Sequence, residues 1–197
     1  MRFATTPEEV WTRLTDWIVK SGRAVVIPAY AGTLDRGPTR PPVLPVREKE
    51  LQIQSLMDIS RTIDYLQTRK DFDTSNIAFA GVSFGSGLGL RAVAVEPRFK
   101  AAVLLSLGYT PDGGLKEVDS WNYAPRVRVP VLMLSGEDDS MAPMETAQKP
   151  IFKALGSPIK EYKHFPGGHV DFITREEVIQ EALKWLDKYL APVSVRR

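Results

Sequence analysis

The hydrophobic positions of this chain form short continuous runs that alternate with longer stretches of helical periodicity. Short apolar runs are typical of buried parallel strands, while apolar residues three and four positions apart indicate helices that cover a sheet. Such runs predict strands over residues 23–29, 76–82, 100–107 and 129–135, and a fifth strand is predicted over residues 159–163. The periodic stretches predict helices from Thr5 or Thr6 to Gly22 and over residues 48–70, 84–95, 144–155 and 174–190.

This alternation predicts an α/β fold of about five parallel strands with helices on both faces. With the strands in chain order, right-handed crossovers place the middle helices on one face and the first and last helices on the other. The length of 197 residues favours a single domain over residues 1–197. Residues 108–128, between the third and fourth major strands, are short and rich in turns, so we expect no cap domain and an open site.

The amino-acid composition limits the kinds of site and partner that the chain can have. The chain has no cysteine and only two histidines, which excludes disulfides and thiolate sites and argues against a histidine metal centre. A net charge of +2 with scattered basic residues argues against a nucleic-acid partner. No stretch approaches the roughly 18 apolar residues of a membrane span, and the first residues lack the apolar core of a secretion signal. We therefore expect a cytoplasmic protein with no metal, cofactor or membrane partner.

A nucleophile candidate lies between the predicted strand over residues 76–82 and the helix after it. The sequence Gly81-Val82-Ser83-Phe84-Gly85 fits the pattern G-x-S-x-G. A sharp strand-to-helix turn strains the serine backbone, and side chains on the flanking residues would clash with the neighbouring strand, so both positions are expected to need glycine. The turn places the Ser83 hydroxyl at the positive end of a helix. The alternative is a glycine-rich turn in which Ser83 merely caps the helix.

A serine hydroxyl needs a base, and only two imidazoles are present. His169 follows Gly167-Gly168 in a turn after the last strand, and this flexible approach favours it over His164, which ends that strand. A carboxylate must orient the imidazole. The acidic run Glu137-Asp138-Asp139 follows the strand over residues 129–135, and we assign the role to Asp139, with Asp138 as the alternative.

The order Ser83, Asp139, His169 resembles that of the α/β-hydrolase superfamily, and the resemblance covers residues 6–190. The family's usual spacing of the acid between a glycine and a proline, here Gly136 and Pro143, selects Asp139. Residues 22–30 and 122–127 are similar to the dienelactone-hydrolase and acyl-peptidase-like branch. The resemblance implies that the backbone amide of Phe84 is one donor of the oxyanion hole.

Two departures from the family pattern are visible. The chain starts almost at the first major helix, so the family's third strand is missing. Either residues 23–29 pair directly with residues 76–82, or a partner chain covers the exposed edge in a dimer or larger homo-oligomer, or the chain is a truncated gene product. The second oxyanion donor is a backbone amide within residues 2–4 or the hydroxyl of Tyr30. Tyr30 and the proline-rich loop after it are also expected to form one wall of the substrate pocket, with a surface spacer as the alternative for the loop.

Together these features predict a serine carboxylesterase that hydrolyses short-chain acyl esters through an acyl-enzyme, with a small-molecule ester as its partner. Two alternatives stay open. One is a shortened hydrolase scaffold with a binding or assembly role and little activity. The other is a thioesterase or peptidase of the same fold.

Overall fold

A four-stranded parallel sheet forms the centre of the molecule. The computed structural model describes residues 15–31, 33, 36, 45–108 and 115–193. Within these residues the strands lie in chain order, and each neighbouring pair is parallel. The strands are β1 (Ile77–Val82), β2 (Phe99–Leu105), β3 (Val131–Gly136) and β4 (Lys160–Phe165).

The burial of each strand follows its position in the sheet. Every residue of β3 is buried, and in β2 only Lys100 is exposed, because helices cover both faces of these central strands. Most residues of β1 and β4 are half-buried, as expected at the edges of a sheet. The predictions for these four strands are confirmed, with ends shifted by no more than two residues.

The helices lie on both faces of the sheet. They are α1 (Thr15–Lys20), α2 (Pro45–Gln67), α3 (Phe84–Val95), α4 (Ser120–Tyr123), α5 (Lys149–Ala154) and α6 (Glu176–Leu190). Turns of 3₁₀-helix at Lys116–Val118 and Ala124–Arg126 flank α4, and a π-helical turn at Met144–Gln148 precedes α5. The predicted start of the first helix at Thr5 or Thr6 lies outside the described residues.

The helices are divided between the two faces of the sheet as predicted, and each group packs on its own hydrophobic core. The first core joins α2, α3 and α5 to one face of the sheet, through residues such as Ile63, Leu90, Leu104 and Ile151. The second core joins α1 and α6 to the other face, through residues such as Trp17, Val103, Leu132 and Trp185. Because neighbouring residues of a strand point to opposite faces, Val103 and Leu104 of β2 belong to different cores.

The predicted strand over residues 23–29 is wrong. Among the described residues no strand pairing joins this segment to β1, and Val26 and Ile27 are each 42% exposed. Val25 packs against the second core and Tyr30 against the first. The segment therefore contacts both cores without pairing with β1 as a strand. Five strands therefore become four, and a dimer or larger oligomer through the outer edge of β1 stays a prediction.

The predicted helix over residues 144–155 is interrupted. Pro150 lies in the first turn of α5, and its nitrogen cannot donate the hydrogen bond that a continuous α-helix requires. The chain enters α5 through the wider π-helical turn, in which the Lys149 amide donates to the Met144 carbonyl. The π-helical turn begins five residues after Asp139, the last residue of the acidic run.

Candidate active site

Ser83 occupies the turn between β1 and α3. Its backbone has φ 54° and ψ −117°, a left-handed conformation that is unfavourable for a residue with a side chain. Its amide donates to the Leu105 carbonyl of β2 at 2.9 Å, which holds the turn against the neighbouring strand. The buried Ser86 hydroxyl lies 2.8 Å from the Gly81 carbonyl and 2.6 Å from that of Leu105. These contacts stabilise the turn from its buried side.

The two glycines of the motif differ in their surroundings. A Cβ atom on Gly81 would lie 2.6 Å from the carbonyl of Gly85, so the first glycine is required by a close approach of the backbone. A Cβ atom on Gly85 would meet no atom within 4 Å. The expected clash is therefore right for Gly81, although the atoms concerned belong to its own turn and to Phe79, and it is wrong for Gly85.

His169 reaches Ser83 from the loop after β4. Its Nε2 atom lies 2.7 Å from Ser83 Oγ, and its Nδ1 atom lies 2.7 Å from Asp139 Oδ2. When Nδ1 carries the proton that the carboxylate accepts, Nε2 is free to accept the proton of the hydroxyl. His164, the alternative base, is exposed on β4 and packs its ring 5.7 Å from that of Tyr162. The structure brings His169 to the hydroxyl and leaves His164 apart.

Burial separates Asp139 from its acidic neighbours. The Asp139 side chain is fully buried, while Glu137 and Asp138 are exposed. Asp139 Oδ1 accepts hydrogen bonds from the amides of Met141 at 3.0 Å and Ala142 at 2.9 Å, and Oδ2 faces the imidazole. These contacts satisfy both oxygens of a buried carboxylate and fix its orientation toward His169.

The loops that carry Asp139 and His169 lie directly against each other. The Glu137 amide donates to the Phe165 carbonyl at 2.9 Å, and the Asp138 amide donates to the Gly167 carbonyl at 3.0 Å. A Cβ atom on Gly136 would lie 2.3 Å from the Gly168 carbonyl oxygen, so this close approach requires glycine. These backbone contacts hold the loops of the carboxylate and of the imidazole next to each other, independently of the bond between the two side chains.

Sequence reasoning missed a buried glutamine behind the acidic loop. The Gln148 side chain is fully buried, and its amide donates to the Ala142 carbonyl at 2.6 Å. The Tyr162 hydroxyl donates to the Gln148 carbonyl oxygen at 2.5 Å. Burial, with the negative charges of Glu145 and Asp139, raises the pKa of Tyr162 to about 12 and keeps this donor protonated. Gln148 falls in a predicted helix, where one polar residue gives no signal of such a role.

The two predicted oxyanion residues lie in different surroundings. Phe84 is the first residue of α3 and directly follows Ser83, and its role as an oxyanion donor stays a prediction. Tyr30 packs against the first core, and burial together with the negative charge of Asp58 raises its pKa to about 12. Tyr30 forms no hydrogen bond to Ser83, His169 or Asp139 in the described part of the chain. Its roles stay predictions, and residues 2–4 lie outside the described residues.

Comparison with known proteins identifies the family. A sequence model of the PETase family, described as PET hydrolase-like, matches residues 47–192, which is most of the chain. The chain belongs to the PET hydrolase-like family. The match to this family and the fold of the structural neighbours confirm the predicted α/β-hydrolase fold. The likeness to the dienelactone-hydrolase branch stays a prediction.

Individual relatives of this PET hydrolase-like chain carry names of ester-cleaving enzymes. Cutinase est2 of Thermobifida alba is 26% identical over 142 residues, which cover 71% of the chain and 44% of that cutinase. A cold-adapted esterase from an Arctic intertidal metagenomic library has a TM-score of 0.66 at 23% identity, covering 82% of the chain and 67% of the esterase. An esterase of Pyrococcus furiosus has a TM-score of 0.72 at 14% identity, covering 90% and 74%. The chain spans less than half the length of the cutinase.

Neither a metal-binding cluster nor a membrane-spanning helix occurs among the residues that the structure describes. Within the described residues, no three or more His, Asp or Glu side chains gather into a group suited to hold a metal ion. No helix in the same part of the chain is long and apolar enough to cross a bilayer.

Proposed function

We propose that this chain is a serine carboxylesterase that hydrolyses short-chain acyl esters. The observation that carries the proposal is the continuous hydrogen-bonded line from Ser83 Oγ through the His169 ring to Asp139, with both contacts at 2.7 Å. Such a line activates a hydroxyl that is otherwise inert at neutral pH. The cutinases and esterases among the relatives support an ester as the substrate.

The reaction proceeds by acyl transfer in two halves. Ser83 Oγ forms a bond to the ester carbonyl carbon while His169 Nε2 takes the hydroxyl proton. The tetrahedral intermediate places its negative oxygen near the Phe84 amide at the start of α3, where the helix dipole favours negative charge. The C–O bond to the alcohol then breaks, and His169 gives its proton to the departing alkoxide. Water repeats both steps on the acyl-enzyme and releases the acid.

Asp139 supports the imidazole in both halves. Its fully buried carboxylate faces Nδ1, so it holds the tautomer that leaves Nε2 as the acceptor. It also stabilises the imidazolium that forms when the serine proton is taken. The two backbone amides on its other oxygen keep the carboxylate from rotating away.

The surface around Ser83 favours small apolar acyl groups. Three exposed apolar residues lie close in sequence to the hydrogen-bonded residues. Phe84 follows Ser83, Val170 follows His169, and Met141 lies two residues after Asp139. Met141 is 63% exposed, and Phe84 and Val170 are 37% and 36% exposed. We expect these three side chains to give apolar contact to an acyl chain of a few carbons, and a longer chain to extend past them into water.

A fluorophosphonate probe and a panel of p-nitrophenyl esters test the proposal. The unmodified chain is expected to take up one equivalent of the probe, on the peptide that contains Ser83, and to hydrolyse the acetate and butyrate faster than the palmitate. A chain that neither labels nor hydrolyses any ester is instead the shortened scaffold with a binding or assembly role. Faster turnover of thioester or peptide substrates would reassign the site to one of the other acyl-transfer classes.

The acidic run offers a matched pair of variants. Asp139→Asn is expected to lower kcat by about 10⁴-fold, because the amide presents a donor to Nδ1 and selects the wrong tautomer. Asp138→Asn alters the exposed neighbour and is expected to leave kcat within about twofold, since a surface charge outside the site has little effect. Ester hydrolysis measured at saturation distinguishes the two variants. Equal losses in both would contradict the role of Asp139.

A further inference from the structure

A second serine with a left-handed backbone lies one strand away from Ser83. Ser106 directly follows β2 and has φ 53°, close to the 54° of Ser83 at the end of β1. Its side chain is buried, and its amide donates to the Leu134 carbonyl of β3 at 2.8 Å. Glycine adopts this conformation without cost, and a residue with a Cβ atom does not, so the presence of serine calls for an explanation.

The hydroxyl of Ser106 provides that explanation. It donates a hydrogen bond to the backbone carbonyl oxygen of His169, 63 residues later in the chain. No other hydrogen bond holds the His169 backbone in the part of the chain that the structure describes. The residues before His169 are Gly167, with φ 133°, and Gly168, and both have wide backbone freedom. A histidine reached through two glycines needs an external contact to fix its position.

The end of β2 thereby holds both partners of the proton transfer. Leu105 accepts the Ser83 amide at 2.9 Å, and the next residue, Ser106, binds the His169 carbonyl. The last residue of β2 and the residue directly after it therefore set where the hydroxyl and the imidazole lie relative to each other. Small errors in such a separation are costly in rate, because proton transfer requires a near-ideal contact.

We propose that Ser106 is a positioning residue for the reaction, acting through the backbone of His169. This inference rests on the proposed function, because it assigns Ser106 a part in the proton transfer between Ser83 and His169. The hydroxyl of Ser106 holds the histidine within reach of Ser83 without itself touching the substrate. In its left-handed backbone conformation, the hydroxyl points at the loop after β4.

The neighbouring strand supplies a matched control. Ser135 lies in β3, is fully buried, and its hydroxyl has no hydrogen-bond partner in the described part of the chain. Ser106→Ala and Ser135→Ala thus remove the same atom from equivalent depths, one with a contact to the histidine loop and one without. Ser106→Gly removes the same hydroxyl and also relieves the left-handed backbone, so it separates loss of the contact from loss of stability.

Kinetics and the histidine spectrum test the proposal together. Ser106→Ala and Ser106→Gly are expected to lower kcat for p-nitrophenyl butyrate by about three- to tenfold with little change in KM, the size expected for one lost hydrogen bond. Ser135→Ala is expected to keep the unmodified kcat. Because the chain has only two histidines, ¹⁵N-histidine labelling resolves both rings, and the His169 signals should shift or broaden in the Ser106 variants alone.

The outcomes separate this inference from the function on which it rests. An unmodified chain that neither hydrolyses esters nor takes up the fluorophosphonate overturns both. An active chain whose Ser106→Gly variant keeps full kcat and an unchanged His169 signal overturns the role of Ser106 alone. A loss confined to Ser106→Ala would show that activity does not require the hydroxyl contact, because Ser106→Gly lacks it too, and would also overturn the role of Ser106.

Discussion

Ser83→Ala is expected to lower kcat for p-nitrophenyl butyrate by about 10⁶-fold and to abolish labelling by the fluorophosphonate. Alanine lacks the oxygen that forms the acyl-enzyme, so His169 has no proton to take and only water remains as a nucleophile. The residual rate should reflect binding and the oxyanion site, which act without the serine. Both quantities are measured on the same preparation, the rate by p-nitrophenolate release and the label by mass spectrometry.

A second variant protects this result from a folding artefact. The backbone of residue 83 is left-handed, and alanine carries the same steric cost there as serine, whereas glycine carries none. Ser83→Gly should therefore be at least as stable toward heat as the unmodified chain and equally inactive. Labelling that persists in either variant would place the nucleophile elsewhere and remove the basis of the proposed function.

The parts of the fold that depend on local sequence were predictable. Strands β1, β2 and β3 are apolar runs, and α3 directly follows the glycine motif, so neighbouring residues specify these elements. The turn at Ser83 was predictable for the same reason. Its demand for glycine at position 81 arises within five residues of the chain.

The errors come from relations that a local pattern does not contain. The apolar residues 23–29 have the composition of a strand, yet a strand needs a partner, and none of the described residues provides one. Val25 of this segment packs against the second core, and Tyr30, which directly follows the segment, packs against the first. Both side chains are only partly buried. A run of β-branched residues shows that a segment can be extended, but its pairing depends on distant parts of the chain.

The active-site residues also divide into those that were predictable from the sequence and those that were not. The residue types and their order pointed to Ser83, Asp139 and His169, because an imidazole and a carboxylate are what a serine requires. The distinction between Asp138 and Asp139 depends on which side chain is buried against the histidine loop. Residue type alone left both open, and the choice of Asp139 came from the resemblance to the family. Ser106 had no signal, since its hydroxyl contacts a backbone carbonyl 63 residues away. Gln148 had none either, since its contact with the Ala142 carbonyl, six residues away, depends on how the loop between them folds.

The two histidines give the second large effect. His169→Ala is expected to lower kcat by about 10⁶-fold, close to the loss from Ser83→Ala, because neither group works without the other. Such losses do not add, so the double variant Ser83→Ala/His169→Ala should be no slower than either single variant. Steady-state rates of the two single variants and the double variant, measured on one ester, check this expectation.

His164→Ala is the matched control because it removes the same ring from the exposed edge of β4. Its hydrolysis rate and its labelling rate should stay within about twofold of those of the unmodified chain, as for other surface substitutions. In the opposite result, with His164→Ala inactive and His169→Ala active, a different imidazole would serve as the base. The 2.7 Å contact between His169 and Ser83 would then have no part in the chemistry.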